Sequence, residues 1–345
     1  MSRIVFSSAE KSAGKTTVII GFGASINKSF GYMKPLGDRL VYQRKRLWDY
    51  DAHLLCKIFN IPDEPETMSM GFEHAKLRYM YNEETAAKKL REMAERIEKE
   101  QGNVFIETGK DLAFGSSVHL DATSVAKCLD GKMVVVVRGD SDAVLDTIVF
   151  IKKYLKLEEV KLAGVVVNDV KNPEDFIATN KKTIDDAGIS LLGVLPHVES
   201  LAETTVRYIA DKLFAKVLSA EDSLDKPVKR YLIGAMSASS VYQHPLIKEK
   251  CNMLITSGDR TDMILAGIEN NASCILLTNN ILPPSNIISQ ASMAKIPLLL
   301  VPWDTYTVAV KIDSMEPLLT MNDQTKINQI KELCSKYLKI SEILS

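Results

Sequence analysis

"RIVFSSAEKSAGKTTVIIGFGASINK" occupies residues 3 to 28, and its reading decides the fold. Ile4, Val5 and Phe6 make the start a short buried strand, "AEKSAG" (9 to 14) interrupts it, and "KTT" (15 to 17) opens an apolar helical run. Strand, Gly-Lys-Thr loop and helix in this order are the context of a phosphate-binding P-loop. Backbone N–H groups of the loop and the helix N-terminus converge on anionic oxygens, and the helix dipole favours their charge. On this reading Lys11, Ser12, Ala13, Gly14, Lys15, Thr16 and Thr17 surround nucleotide phosphates, Lys15 reaches the β and γ oxygens, and the Thr16 hydroxyl ligates magnesium. Ala9 stands where the motif has its first glycine, and alanine enters positive φ at a cost, so the loop is expected to begin differently from the usual one.

Working outward, short β-branched runs alternate with longer helical patterns, as parallel strands joined by crossover helices do. The clearest strands are "RIVFSS" (3 to 8), "NVFIET" (103 to 108), "MVVVVR" (133 to 138), "LAGVVVNDV" (162 to 170) and "LLGVLP" (191 to 196), and their continuous apolar character predicts burial on both faces. "EETAAKKLREMAERIEKEQ" (83 to 101) predicts a solvent-facing helix with opposite charges at helical spacing. The polar stretch "SAEDSLDKPVKR" (219 to 230) reads as a linker, so residues 1–218 are expected to form the nucleotide-binding domain. A smaller α/β domain is expected over 231–320, on strands "YLIGAM" (231 to 236), "NMLITS" (252 to 257), "CILLTNN" (274 to 280) and "IPLLLVP" (296 to 302). A C-terminal helix is expected over 321–345, where Ile327, Ile330, Cys334, Tyr337 and Leu338 share one face that packs on the second domain or meets a partner.

A P-loop supplies magnesium with few carboxylates, so acidic residues at strand ends become candidates. Glu107 ends the strand "NVFIE" and Asp51 follows "YQRKRLWDY". Asp51 is equally readable as the cap of the helix after it, and Asp49 competes with it for a ligand role. Lys34 in "GYMKPLG" ends a short strand, with Pro35 fixing the turn, and suits a phosphate or a substrate carboxylate. Asn168 in "VVVNDV" is either a turn residue or a reader of the adenine edge.

Taken in order, "AEKSAGKTT", "MKPLG", "DYDAHLL", "VFIETG" and "GVVVNDV" resemble the dethiobiotin synthetase-like branch of P-loop proteins over about two thirds of the chain. The resemblance implies an α/β P-loop NTPase sheet with flanking helices that binds ATP with magnesium. It assigns the phosphates to Lys15 and Thr16, substrate and phosphate contact to Lys34, metal assistance to Asp51 and Glu107, and adenine to Asn168. "SGDRTDMILAGIENNASCILLTNNILPP" (257 to 284) with "IPLLLVPWDTYT" (296 to 307) resembles a DRTGG domain, whose motif reads here Asp259, Arg260, Thr261 and implies an unidentified small-molecule ligand. The pair of domains is similar to the N-terminal regulatory half of long phosphate acetyltransferases, without the acetyltransferase domain. Two departures stand out: "TGKDLAFG" carries Lys110 and Asp111 where the synthetase has small residues, and Asp262 and Met263 replace the Gly-Gly.

These features support two functions. One is a regulatory or sensor protein that binds ATP and hydrolyses it slowly; the other is an ATP-dependent synthetase that phosphorylates a carboxylate or carbamate, with Lys15 and Lys34 as its catalytic lysines. Composition narrows the rest. The chain has 345 residues, 46% hydrophobic and 25% charged, with a formal net charge of -1, which suits two soluble domains and no nucleic-acid partner. No window of about 18 apolar residues predicts a membrane span. Five scattered cysteines suit reduced thiols in the cytoplasm, and the five histidines are too dispersed to predict a zinc site. A homodimer is expected, paired near the nucleotide or through the C-terminal stripe.

Overall fold

The computed structural model describes residues 2–26, 29–43, 46–157, 159–236, 252–315, 319–320, 323–340 and 343. His244 and Cys251, both counted above, lie outside them. The chain divides into two compact units: Met1–Val198 with Leu319–Ser345, and Glu199–Leu318.

In the first unit the elements run β1 (Arg3–Ser8), α1 (Lys15–Ser25), β2 (Phe30–Met33), β3 (Leu40–Gln43), β4 (Arg46–Asp49), α2 (Tyr50–Phe59), α3 (His74–Met80), α4 (Glu83–Gln101), β5 (Asn103–Glu107), α5 (Ala122–Cys128), β6 (Lys132–Arg138), α6 (Asp142–Leu157), β7 (Leu162–Val170), α7 (Pro173–Asp186) and β8 (Leu191–Pro196). Six strands form a parallel sheet in the order β2-β5-β1-β6-β7-β8. Alternate residues go to opposite faces, so Val5, Ile106, Val135 and Val165 pack under α4 to α7. Phe6 and Phe105 turn the other way, each 5.3 to 5.7 Å edge-on from Phe22 of α1. The expected strands are present, and α4 starts on a capping box at Asn82 and Thr85 with its apolar stripe inward.

Helix α1 is apolar nearly all round, burying Val18, Ile19, Ile20 and Phe22, and such a helix needs cover on its outer side too. The helix Gln324–Tyr337 supplies it. Its buried stripe of Ile327, Ile330 and Cys334 lies on α1, and the chain then bridges Leu338 to Gly193 at the edge strand β8. That stripe was expected to face the second domain or a partner; it packs within the first unit instead, because α1 offers an apolar surface that nothing nearer in sequence covers. A Cβ at Gly21 would meet Cys334 Sγ at 2.0 Å. Gly21→Val is therefore expected to cost about 1–3 kcal/mol by overpacking and to free the C-terminal helix for proteolysis. A helix that resists digestion as in the parent would contradict this packing.

The second unit contains α8 (Glu199–Ala202), β9 (Thr204–Thr205), α9 (Val206–Lys212), β10 (Lys216–Ser219), β11 (Pro227–Val228), β12 (Arg230–Ile233), β13 (Asn252–Ser257), β14 (Cys274–Thr278) and β15 (Leu298–Leu300), with helices Thr261–Glu269, Ser285–Met293 and Thr305–Asp313. Its sheet runs β10-β15-β14-β13-β12, parallel except for β10. Residues 199–218, expected in the first domain, belong here: Val206 and Ile209 enter the core with Met253, Leu276 and Val308, and β10 is the edge strand. The polar stretch 219–230 is no free linker, since Ser219 Oγ donates to Ile296 O at 2.9 Å and Pro227–Val228 pairs with Thr204–Thr205. Among the described residues no helix is long and apolar enough to cross a membrane.

Candidate functional site

The loop 9–14 joins β1 to α1 at the carboxyl edge of the first sheet, beside β5 and β6. Its left-handed residues are Ser12 (φ 59) and Gly14 (φ 97). Ala9 is not among them, and its amide donates to Val136 O at 3.1 Å, so the missing first glycine imposes no strain there. Gly14 is required. A Cβ on it would lie 2.2 Å from Asn168 Nδ2, and that nitrogen already donates to Ala13 O at 2.9 Å.

Lys15 begins α1 with its ammonium buried, donating to Ser8 Oγ at 2.8 Å and to Lys110 O at 3.2 Å. Burial draws its pKa below the ordinary lysine value, with Glu107 opposing. Thr16 Oγ1 donates to Glu107 Oε1 at 3.1 Å, and the buried Tyr32 hydroxyl donates to Glu107 Oε2 at 2.8 Å. Burial, with the Asp51 charge adding to it, pushes the Glu107 carboxyl from 4.5 up to about 7. A carboxyl raised on folding contributes stability below its unfolded value that is lost as pH climbs through the folded one. Hence the ligand-free protein is expected to lose about 3 kcal/mol relative to Glu107→Gln between pH 4.5 and 7. Parallel slopes for the two proteins in chemical denaturation would refute it.

The third part of the edge is a buried charge cluster. Lys34, just after β2, places Nζ 2.6 Å from Asp51 Oδ2, 3.3 Å from Asp49 Oδ2 and in hydrogen-bond contact with Asp38. Arg39 adds a bond to Asp51 Oδ1 at 3.2 Å. Burial disfavours the Lys34 charge, but Asp51, Asp49, Glu107 and Asp38 outweigh it and raise its pKa well above the ordinary value. Burial likewise disfavours charged Asp51, and Lys34 with Arg39 outweighs it, so this carboxyl sits low. Asp49 rather than Asp51 caps α2, accepting from the amides of Asp51 (2.9 Å) and Ala52 (3.4 Å). Its other oxygen accepts from the amides of Asp38 and Arg39.

Of the residues singled out in the sequence, Lys15, Thr16, Glu107, Lys34 and Asp51 thus gather along one edge, and Asn168 braces the loop from β7. Sequence reasoning missed Tyr32, Asp38 and Arg39. Asp38 and Arg39 lie four and five residues after Lys34, but the hairpin of β3 and β4 that folds them back onto Asp49 carries no turn signature. In the second unit Arg260 is engaged with Asp262 and the Met236 carbonyl, and the helix Thr261–Glu269 has no side-chain cap, so neither Asp259 nor Thr261 caps it.

The sequence profile of the AAA domain family AAA_26 matches residues 2–205. The chain belongs to the AAA_26 family. A second profile, the DRTGG domain, matches residues 208–315, which follows the division of the units more nearly than the expected 231–320. This AAA_26 chain is similar to the phosphate acetyltransferase of Nitratidesulfovibrio vulgaris, 23% identical across 99% of the chain and 51% of the relative. It is also similar to that of Synechocystis sp., 27% identical across 64% of the chain and 33% of the relative. The chain thus spans about half the length, or less, of the curated relatives it matches. Among solved structures, the MinD cell division protein of Aquifex aeolicus aligns with 58% of the AAA_26 chain and 84% of its own, at 14% identity and TM-score 0.37. The CBS and DRTGG domains of Clostridium perfringens pyrophosphatase align with 44% of the chain and 67% of their own, at 22% identity and TM-score 0.31.

Proposed function

We propose that this chain binds magnesium ATP on the edge formed by loop 9–14, Lys15, Thr16 and Glu107, and acts as a regulatory or sensor protein of the phosphate acetyltransferase N-terminal type. Hydrolysis, where it occurs, is slow. The Thr16 hydroxyl and the Glu107 carboxylate offer two hard oxygens 3.1 Å apart, a donor pair that suits magnesium, and a divalent charge there would offset the burial of Glu107. Those two residues would hold the ion, which neutralises charge on the phosphates when bound. Asp51 fits less well as a direct ligand, because Lys34 and Arg39 occupy both of its oxygens.

The observation that favours regulation over synthesis is the state of Lys34. Its ammonium is surrounded by Asp38, Asp49 and Asp51, three carboxylates that repel an anionic acceptor from the one lysine expected to hold it. Lys110 and Asp111 in the neighbouring loop replace the small residues of a diamino-acid pocket. The acetyl transfer named in the relatives is not extended to this chain. Limited proteolysis and small-angle scattering with and without saturating magnesium ATP test the reading: unchanged patterns would rule it out.

A synthetase reading keeps one supporting observation, that Lys34 and Glu107 share the edge with Lys15. ADP release stimulated by small carboxylates or diamines would favour it. An effector at the DRTGG segment has less support, since Arg260 is already paired.

A further inference from the structure

Tyr32 reaches the phosphate edge from β2, a strand that carries no part of the loop. It lies opposite Phe105 in the parallel pairing of β2 with β5, and Glu107 is two residues further along β5. Alternate strand residues share a face, so Tyr32, Phe105 and Glu107 all turn to the side covered by α1, where Phe22 packs on Phe105 and Thr16 sits in the first turn. The Tyr32 hydroxyl donates to Glu107 Oε2 at 2.8 Å, and Thr16 Oγ1 donates to Glu107 Oε1 at 3.1 Å. Each oxygen of one carboxylate is thus held by a hydroxyl from a different element.

The two hydroxyls are not equivalent. Thr16 is partly exposed, so its hydroxyl can turn the hydrogen away and present its oxygen to an ion. Tyr32 and Glu107 are 0% and 2% exposed, so a phenol turned from Oε2 would give up its hydrogen bond with no water to take its place. Oε2 is therefore committed to the protein, and Oε1 is the oxygen open to a ligand. A carboxylate tied at one oxygen ligates through the other alone. Magnesium is small, demands octahedral geometry and is served by single carboxylate oxygens, whereas calcium takes more oxygens and gains from a carboxylate that binds through both.

We infer that Tyr32 is a positioning residue that restricts Glu107 to ligation through one oxygen and thereby makes the nucleotide site select magnesium over calcium. The inference rests on the nucleotide reading above, in which Thr16 and Glu107 hold the ion. The role of Tyr32 is indirect, through Glu107 Oε2. Groups hydrogen-bonded behind a metal ligand fix its orientation, and their removal usually costs about 10–100-fold in metal affinity. Here the cost falls unequally on the two ions. Without the phenol the Glu107 carboxylate is no longer held against rotation about its terminal bond, which is a soft torsion. It can then offer both oxygens, which suits the larger ion and deprives the smaller one of a fixed ligand.

Calorimetric titration of the full chain with ATP in excess magnesium, in excess calcium and in EDTA tests it. Tyr32→Phe keeps the buried ring and removes only the hydroxyl. It is expected to weaken ATP binding in magnesium about ten-fold, to leave binding in calcium no weaker, and to leave the metal-free affinity unchanged. In a Glu107→Ala background, where there is no carboxylate to position, the same substitution is expected to leave the magnesium-to-calcium ratio alone. An unchanged ratio in Tyr32→Phe overturns the inference and leaves nucleotide binding standing. Equal weakening in all three solutions does the same, since it marks a merely structural role, and so does a ratio that shifts as much without Glu107 as with it. A parent chain that binds ATP equally well with either ion overturns the inference alone. A parent chain that binds ATP in none of the three solutions overturns the nucleotide reading itself, and the inference with it.

Discussion

Lys34→Met is expected to destabilise the first unit by about 3–5 kcal/mol, the usual cost of removing one partner from a buried ion cluster. The substitution keeps the length and the apolar stem of the side chain but leaves the carboxylates of Asp38, Asp49 and Asp51 together, with Arg39 as their nearest remaining cation. Asp49 and Asp51 are both buried, and neither can turn to solvent without releasing the start of α2, where Asp49 is the cap. The deficit has a pH signature. With the ammonium gone, the folded state holds protons on these carboxyls more tightly than the unfolded chain does, so the mutant recovers relative to the parent as pH falls. Trp48, buried and immediately before Asp49, is a local reporter in denaturant titrations once Trp303, the other tryptophan, is replaced by phenylalanine. A loss under about 1 kcal/mol would mean that the cluster is better solvated than its packing indicates.

Gly14→Val carries the second large effect, and it falls on binding rather than on folding. At φ 97 a β-branched residue is strained, and its Cβ would overlap the Asn168 amide. The loop must move away from β7, taking with it the amides that face the phosphates. ATP affinity is expected to fall about 100-fold or more, with far-UV circular dichroism unchanged. Adding Asn168→Ala removes the overlap but not the backbone strain, so it is expected to recover only part of the loss. Full recovery would show that backbone angle does not matter at Gly14; near-parent affinity in the single mutant would remove the loop from phosphate binding altogether.

Legibility in the sequence followed the range of the interactions. The strand, loop and helix around Lys15 were readable because each signal is local, and Glu107 was readable because it ends an unmistakable buried strand. Lys34 and Asp51 were individually recognisable, but their embrace was not, since it depends on the hairpin of β3 and β4 and on Asp38, whose charge looked like any surface aspartate. Asn168 was recognisable from its strand-end position, but only the approach of Gly14 reveals that its amide also meets the loop. The seam was misplaced because β10 pairs antiparallel at the edge of a sheet whose other strands come later in the chain. A polar, proline-containing stretch resembles a linker whether or not its few buried atoms, such as Ser219 Oγ, are tied down.

The return of the last helix to α1 makes the second unit an insertion, entered after residue 198 and left before residue 319. No single cut therefore separates the chain into two self-sufficient pieces. A fragment ending near 198 would leave Gly21 and the side of α1 around it to water, where Ile330 and Cys334 now lie. The first unit could be regained only by supplying the final segment, as a second polypeptide or through a short bridge across the excised region.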